Sequence, residues 1–267
     1  HRSTADAIFI ARRSIEAAVA CRSGSLTLVA LDWAKAFDSV NVDSLLDALR
    51  RFGIPSDFLQ VVAALLKNRR FYVDERQTAS STKQQQSGIS QGCTLSPLLF
   101  ITVMSLVMQD AVALLSPAAQ EAYKQGDLAD LAFADDTLLL GVSKDLLAEY
   151  LAAVATAGKR YGLSLHYDKF QLLNIGCHGG LTKADGQQLD PKSSLSYLGT
   201  VLTEDGRVSN ELSRRIGMAR GDFRTLCKIW NHASITRTRK VYLYVSLIES
   251  WLLYSLSACC FTAADLR

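Results

Sequence analysis

The sequence has little proline, 4 in 267 residues, and it contains no low-complexity tract and no internal repeat. The first two of these argue against a disordered chain. Six cysteines (Cys21, Cys93, Cys177, Cys227, Cys259, Cys260) form no CxxC pair, and no histidine stands at zinc-ligand spacing. They read as reduced core residues of an intracellular protein, not as a metal knuckle or a disulfide framework. A secretory signal pattern is lacking. Two apolar runs, Leu95 to Leu115 and Val241 to Phe261, are long enough to raise the question of a membrane. Gln109 and Asp110 break the first and Glu249 the second, so both are expected to be buried helices.

Hydrophobic residues make up 49% and charged residues 21%, which supports one large core, or one core and a smaller one. The net charge of +3 conceals an asymmetry. From Arg207 to Arg267 there are 10 Lys and Arg against 4 Asp and Glu, whereas the preceding residues hold 19 against 22. Basic charge on one part and acidic charge on another suit a phosphate-bearing partner held by cations in one place and by metal in another. A solvated basic helix fits the same count. The composition shift near Gly206 predicts a boundary between residues 1–205 and 206–267.

The most informative stretch is Leu131-Ala-Phe-Ala-Asp-Asp-Thr-Leu-Leu-Leu140. Its apolar flanks read as the arms of a β-hairpin with Asp135 and Asp136 at or near the turn. Two carboxylates set against a core require neutralisation, and no Lys or Arg lies within the stretch. A hard divalent cation such as Mg²⁺ meets that need. An ordinary surface Asp-Asp turn fits the stretch equally when it is read alone. The β-rich run Leu26 to Leu31 delivers a third carboxylate, Asp32, at its end. If these strands are neighbours, the three carboxylates converge and can hold two ions, the arrangement that serves in-line phosphoryl displacement. Asp38, six positions on, is a weaker candidate.

The remaining pattern is mixed. Ser3 or Thr4 caps a helix to about Ala20, Asn41 caps one ending near Gly53, and another runs from Pro55 to about Lys67. Phe71 to Val73 and Gln77 to Gln86 read as a strand pair, with Arg69, Arg70, Arg76 and Lys83 on or beside it. Pro97 starts a long apolar helix, and Ser143 to Arg160 forms another. Strands follow at Leu163–Leu165, Phe170–Ile175 and Leu195–Leu202. Helices over Ser209–Trp230 and Ile235–Cys260 close the chain. Strands among helices throughout indicate an α/β or α+β fold.

Three consecutive blocks, LDWAKAFDSV from Leu31, GISQGCTLSPLLF from Gly88 and LAFADDTLLL from Leu131, resemble the catalytic blocks of reverse transcriptases. The nearest likeness is to the non-LTR, LINE-like retrotransposon class. HRSTADAI at the start, GLSLHYDK from Gly162 and LSYLG from Leu195 resemble further blocks of that class. The resemblance covers nearly the whole chain. It implies an α+β right-hand polymerase: a palm with an antiparallel sheet packed on helices, partial fingers, and a helical thumb from residue 206. It implies an RNA-directed DNA polymerase that extends a primer 3′-hydroxyl with dNTPs on an RNA template. Its cofactor would be two Mg²⁺ ions, with Mn²⁺ as a substitute, held by Asp32, Asp135 and Asp136.

On the same basis Phe37 would be a steric gate beneath the sugar. Gln91 and Gly92 would line the nucleotide pocket, Lys169 would face the triphosphate, and Tyr197, Leu198 and Gly199 would grip the primer. His166 and Phe170 stand where the class usually has Asn and Thr. The partners implied are template RNA, primer DNA and dNTPs, with no membrane. Upstream fingers and an endonuclease are expected outside this chain, as parts of a longer polyprotein, and a nuclear location is favoured. An RNA-dependent RNA polymerase, with Asp32 and Asp38 as its first-block pair, and a non-catalytic RNA- or duplex-binding remnant are the alternatives.

Overall fold

The computed structural model describes residues 3–75, 78–183 and 186–261. The chain forms two compact units, Thr27–Leu172 with Gly179–Pro191, and His1–Leu26 with Leu173–His178 and Lys192–Arg267. In chain order the first elements are α1 (Thr4–Ala20), β1 (Leu26–Leu31), α2 (Ala36–Ser39), α3 (Val42–Arg51) and α4 (Ser56–Leu66). Four two-residue strands follow: β2 (Arg70–Phe71), β3 (Asp74–Glu75), β4 (Thr78–Ala79) and β5 (Lys83–Gln84). Then come α5 (Ser96–Ala113), α6 (Pro117–Gln125), β6 (Leu128–Phe133), β7 (Asp136–Gly141), α7 (Lys144–Arg160) and β8 (Gln171–Ile175). Short strands β9 (Leu181–Thr182), β10 (Gln188–Leu189) and β11 (Pro191–Lys192) lead to β12 (Ser194–Tyr197) and β13 (Thr200–Thr203). Helices α8 (Ser209–Thr225), α9 (Cys227–Asn231), α10 (Arg237–Tyr244) and α11 (Ser250–Leu253) complete the series.

Local chemistry accounts for several helix starts. Ser3 and Asp6 form a capping box at α1, with the Ser3 amide donating to Asp6 at 2.6 Å. The Asn41 side chain accepts from the Ser44 amide at 3.0 Å and starts α3. Pro97 sits in the first turn of α5, where its missing N–H costs no hydrogen bond.

The larger unit is built on an antiparallel sheet. β7 pairs with β1 on one side and with β6 on the other. Residues 137–141 of β7 are buried without interruption, as expected of a strand covered on both faces. α5 and α7 pack over this sheet, and Phe100, Val103, Val107, Tyr150 and Val154 are all fully buried. The charged residue that interrupts α5 is satisfied inside: Arg51 grips Asp110 through two bonds of 2.9 and 2.5 Å, and the Tyr161 hydroxyl donates to it at 2.8 Å. Arg51 holds the Asp110 carboxyl below its usual range, outweighing the cost of burial. The Leu95–Leu115 run is thus a core helix, as expected.

Four expectations are corrected. The 70–84 segment is two short ribbons, β2 with β5 and β3 with β4, because Phe71, Tyr72 and Val73 are exposed and have no core to extend against; Arg76 and Gln77 lie outside the described residues. Leu195–Leu202 is a hairpin of two strands turned at Leu198-Gly199. The helical run 237–258 is long and apolar enough to cross a membrane by length and composition, but it is mostly exposed, with Val241, Tyr242, Trp251 and Leu253 all more than half accessible. No cysteine lies in the core: Cys21, Cys93, Cys227 and Cys260 are exposed, Cys177 and Cys259 half-buried, and none is disulfide-bonded.

Candidate active site

The hairpin turn is two residues long. Phe133 pairs with Asp136, leaving Ala134 and Asp135 to turn the chain, with Ala134 at φ 54°. A left-handed alanine costs about 1–2 kcal/mol, so this turn is held by its ladder and not by turn propensity. Asp135 sits at the tip and Asp136 opens β7; both residues are exposed.

β1 brings the third carboxylate. Leu31 pairs with Thr137, so the next step of the same register sets Asp32 across from Asp136. The following residues lock the strand end. The Trp33 indole donates to the Thr137 hydroxyl at 3.1 Å, and its ring leaves no room for a Cβ at Gly158. The His166 amide donates to the Asp32 carbonyl at 2.8 Å, and the Ala34 amide to the Ser164 carbonyl at 2.8 Å. This pairing carries Lys169 to the carboxylates, and its Nζ lies 3.1 Å from Asp32 Oδ2.

Desolvation is the first cause that pushes the Asp136 carboxyl up from its ordinary value, followed by the charges of Asp135 and then Asp32. The three carboxylates therefore share one electrostatic neighbourhood. Among the described residues, no three His, Cys, Asp or Glu side chains stand close enough to hold one ion. Asp38 is exposed, and its carbonyl accepts from the Ser87 hydroxyl at 3.0 Å, so it belongs to a loop contact.

The GISQG block is laid against the segment that follows Asp32. The Ile89 amide donates to the Phe37 carbonyl at 2.8 Å and the Gly88 amide to the Val40 carbonyl at 2.7 Å. Gly88 has φ +88°, and a Cβ there would stand 2.6 Å from the Asp38 carbonyl oxygen. Gly88→Ala is expected to destabilise the protein by at least about 1–2 kcal/mol from backbone conformation alone, with the clash added. An unchanged thermal midpoint would contradict this account. Arg69 fixes the other side of the block, donating to the Gly88 carbonyl at 2.6 Å and to the Ser90 hydroxyl. Gln91 and Gly92 are exposed in the turn that leads to α5, and Gly92 takes φ +86°. The half-buried Phe37 ring is stacked on Phe100 at 4.4 Å and 15°.

In the smaller unit, Tyr197 is buried, and Leu198 and Gly199 form the turn between β12 and β13. Asp32, Asp135, Asp136 and Lys169 are thus gathered at one strand end. Phe37, Gln91 and Gly92 lie along the adjoining loop pair, and Tyr197–Gly199 belong to the other unit.

Sequence reasoning missed three supports. Asp130 on β6 accepts from the hydroxyls of Tyr123 at 2.8 Å and Tyr150 at 2.7 Å. Burial, then the Asp130 charge, push Tyr123 up to about 12 and Tyr150 further in the same direction. Arg69 was visible only as one of several cations. The third is a buried set around Glu211, whose Arg214 and Arg215 partners stand at the i+3 and i+4 spacing that a helix brings together.

Residues 2–202 match the family model described as "Reverse transcriptase (RNA-dependent DNA polymerase)". The chain is 31% identical over 204 residues to the "Retrovirus-related Pol polyprotein from type-1 retrotransposable element R2" of Nasonia vitripennis, covering 70% of this chain and 19% of that protein. It is 29% identical over 186 residues to the "Probable RNA-directed DNA polymerase from transposon BS" of Drosophila melanogaster, covering 65% of this chain and 20% of that protein. The chain spans about a fifth of the length of these relatives. Among solved structures it is similar to telomerase from Candida albicans in complex with a fragment of telomeric RNA, with TM-score 0.60 and 14% identity over 99% of this chain and 50% of that one. It is also similar to apo telomerase from Candida tropicalis, with TM-score 0.55 and 14% identity over 79% of this chain and 36% of that one. The fold is accordingly the α+β palm of a right-hand polymerase. The matched span includes all three blocks, and the chain belongs to the reverse transcriptase family.

Proposed function

We propose that this chain is the polymerase portion of a retrotransposon polyprotein. It would extend a primer 3′-hydroxyl with dNTPs on an RNA template. The observation that carries this reading is the β1–β7 register, which sets Asp32 and Asp136 across from each other beside Asp135. Asp136, raised first by burial and then by the charges of Asp135 and Asp32, favours a neutralising divalent cation; Mg²⁺, with Mn²⁺ as a substitute, would be held by Asp32, Asp135 and Asp136 once these are drawn closer than they stand without it. When bound, such ions acidify the primer hydroxyl and offset charge on the leaving pyrophosphate.

The chain's own residues do the rest. Lys169, 3.1 Å from Asp32 Oδ2, holds that carboxylate in place before substrate arrives. Its ammonium then turns to the phosphates of the incoming nucleotide. Phe37 is braced by Phe100, so its ring cannot retreat from a ribose 2′-hydroxyl. The loop at Gln91 and Gly92 lines the nucleotide pocket, and the turn at Tyr197–Gly199 supports the primer end. The basic residues beyond 206 hold the duplex through its phosphates.

Sugar selection tests this reading against a polymerase that makes RNA. Wild-type protein is expected to prefer dNTPs, and Phe37→Ala to raise NTP incorporation on the order of 10²-fold. A wild-type preference for NTPs would overturn the assignment.

A further inference from the structure

The Leu198-Gly199 turn is not one that its own sequence favours. Both residues lie at positive φ, 46° and 71°, in a two-residue hairpin connection. Such turns take Asn, Asp or Gly at the first position, and leucine is poorly suited to it. Something outside the turn must hold it.

Four side chains do so, all within the smaller unit. Arg214 and Arg215 both donate to the Gly199 carbonyl, at 2.7 and 2.5 Å. The Tyr254 hydroxyl donates to the Leu198 carbonyl at 2.8 Å. Glu211, whose side chain is wholly buried, accepts from Arg215 Nε at 2.6 Å and from Arg214 Nε at 2.9 Å. Glu211 also accepts from the Val201 amide at 3.1 Å, just past the turn. The Arg215 guanidinium lies over the Tyr254 ring at 4.8 Å. Both carbonyls of the turn are thereby fixed from α8 and from the end of α11, leaving the turn's outer face as the part that can meet a ligand.

We propose that Tyr254, with Glu211, Arg214 and Arg215, is a clamp that positions the Leu198-Gly199 turn for binding the primer's terminal nucleotide. These are positioning residues and none touches the reacting atoms. The inference rests on the reading that this turn supports the primer. It adds that its shape is imposed by the helices and not by the hairpin. A hairpin whose conformation is imposed can be loosened while the duplex remains bound, because Arg214 and Arg215 are committed to Gly199 and Glu211 and the duplex phosphates would fall to the other basic residues beyond 206.

The test uses the whole chain and a primer–template duplex with 2-aminopurine as the primer's 3′-terminal base. Duplex affinity is read by anisotropy and terminus engagement by the base's fluorescence. Wild-type protein is expected to change that fluorescence on binding. No change would remove the primer-contact reading, and the proposal with it. Tyr254→Phe deletes one hydroxyl. It is expected to keep the duplex Kd within about twofold while engagement of the terminus weakens by about tenfold, because small displacements are costly where geometry decides. In a Leu198→Asn background the same change is expected to matter less than about twofold, since asparagine accepts positive φ without help. A Tyr254→Phe loss of equal size in both backgrounds would overturn the clamp and leave primer contact standing. So would full engagement in Tyr254→Phe.

Discussion

Glu211→Ala is expected to destabilise the protein by about 3–5 kcal/mol, the largest stability loss of any single substitution considered. The reason is what remains behind. Arg215 is 1% exposed and would be left charged and buried without its carboxylate, and the Val201 amide would lose its acceptor. Replacing both members by apolar residues of similar volume, Glu211→Met with Arg215→Leu, is expected to cost far less, because the desolvation penalty then vanishes from both sides. The wild-type protein should also weaken in acid. Burial alone would push the Glu211 carboxyl up, but the hydrogen bonds from Arg214, Arg215 and the Val201 amide outweigh it and hold it below its ordinary 4.5. A depressed carboxyl stabilises the fold above its unfolded value, and that contribution is lost as pH falls through its folded value. Thermal midpoints should therefore decline below about pH 4.5, and decline less steeply in the double apolar variant. A midpoint of Glu211→Ala within a degree of wild type would contradict the buried-pair reading.

Asp32→Asn is expected to reduce primer extension by at least about 10³-fold. It removes one of three carboxylates from a shared site and releases Lys169 from its 3.1 Å partner. The stability effect should have the opposite sign from that of Glu211. Asp136 is raised first by burial and then by the charges of Asp135 and Asp32, so neutralising Asp136 removes a desolvation cost and neutralising either neighbour relieves repulsion. Circular dichroism melts of Asp32→Asn and Asp136→Asn should show midpoints at or above wild type. A lower midpoint alongside lost activity would mean that these carboxylates support the fold instead of the chemistry.

Much of this site was legible because its signals are local. The acidic pair stands between two apolar arms that pair with one another at once, and the hairpin followed with its turn on Ala134-Asp135. Asp32 was legible as the end of an apolar run. Its distance from the pair depends on which strands become neighbours, which no local pattern specifies. Lys169 illustrates the limit. Its contact with Asp32 spans 137 positions and exists because residues 164–166 pair with 32–34.

The Glu211 set could have been found from its i+3 and i+4 arginines, but that spacing also describes an exposed helix face. Only the packing of β12 and β13 distinguishes the two. The 237–258 run misled for a related reason: apolar composition marks surface that favours burial, and in this chain most of it is exposed.

Primer extension tests the central claim most directly. The chain would be given a DNA primer annealed to an RNA template, with Mg²⁺ and dNTPs, beside an otherwise identical Asp135→Asn protein. The account predicts extension by the wild type and its loss in the variant. Extension by Asp135→Asn at the wild-type rate would contradict it, because the carboxylate at the hairpin tip would then have no part in the chemistry.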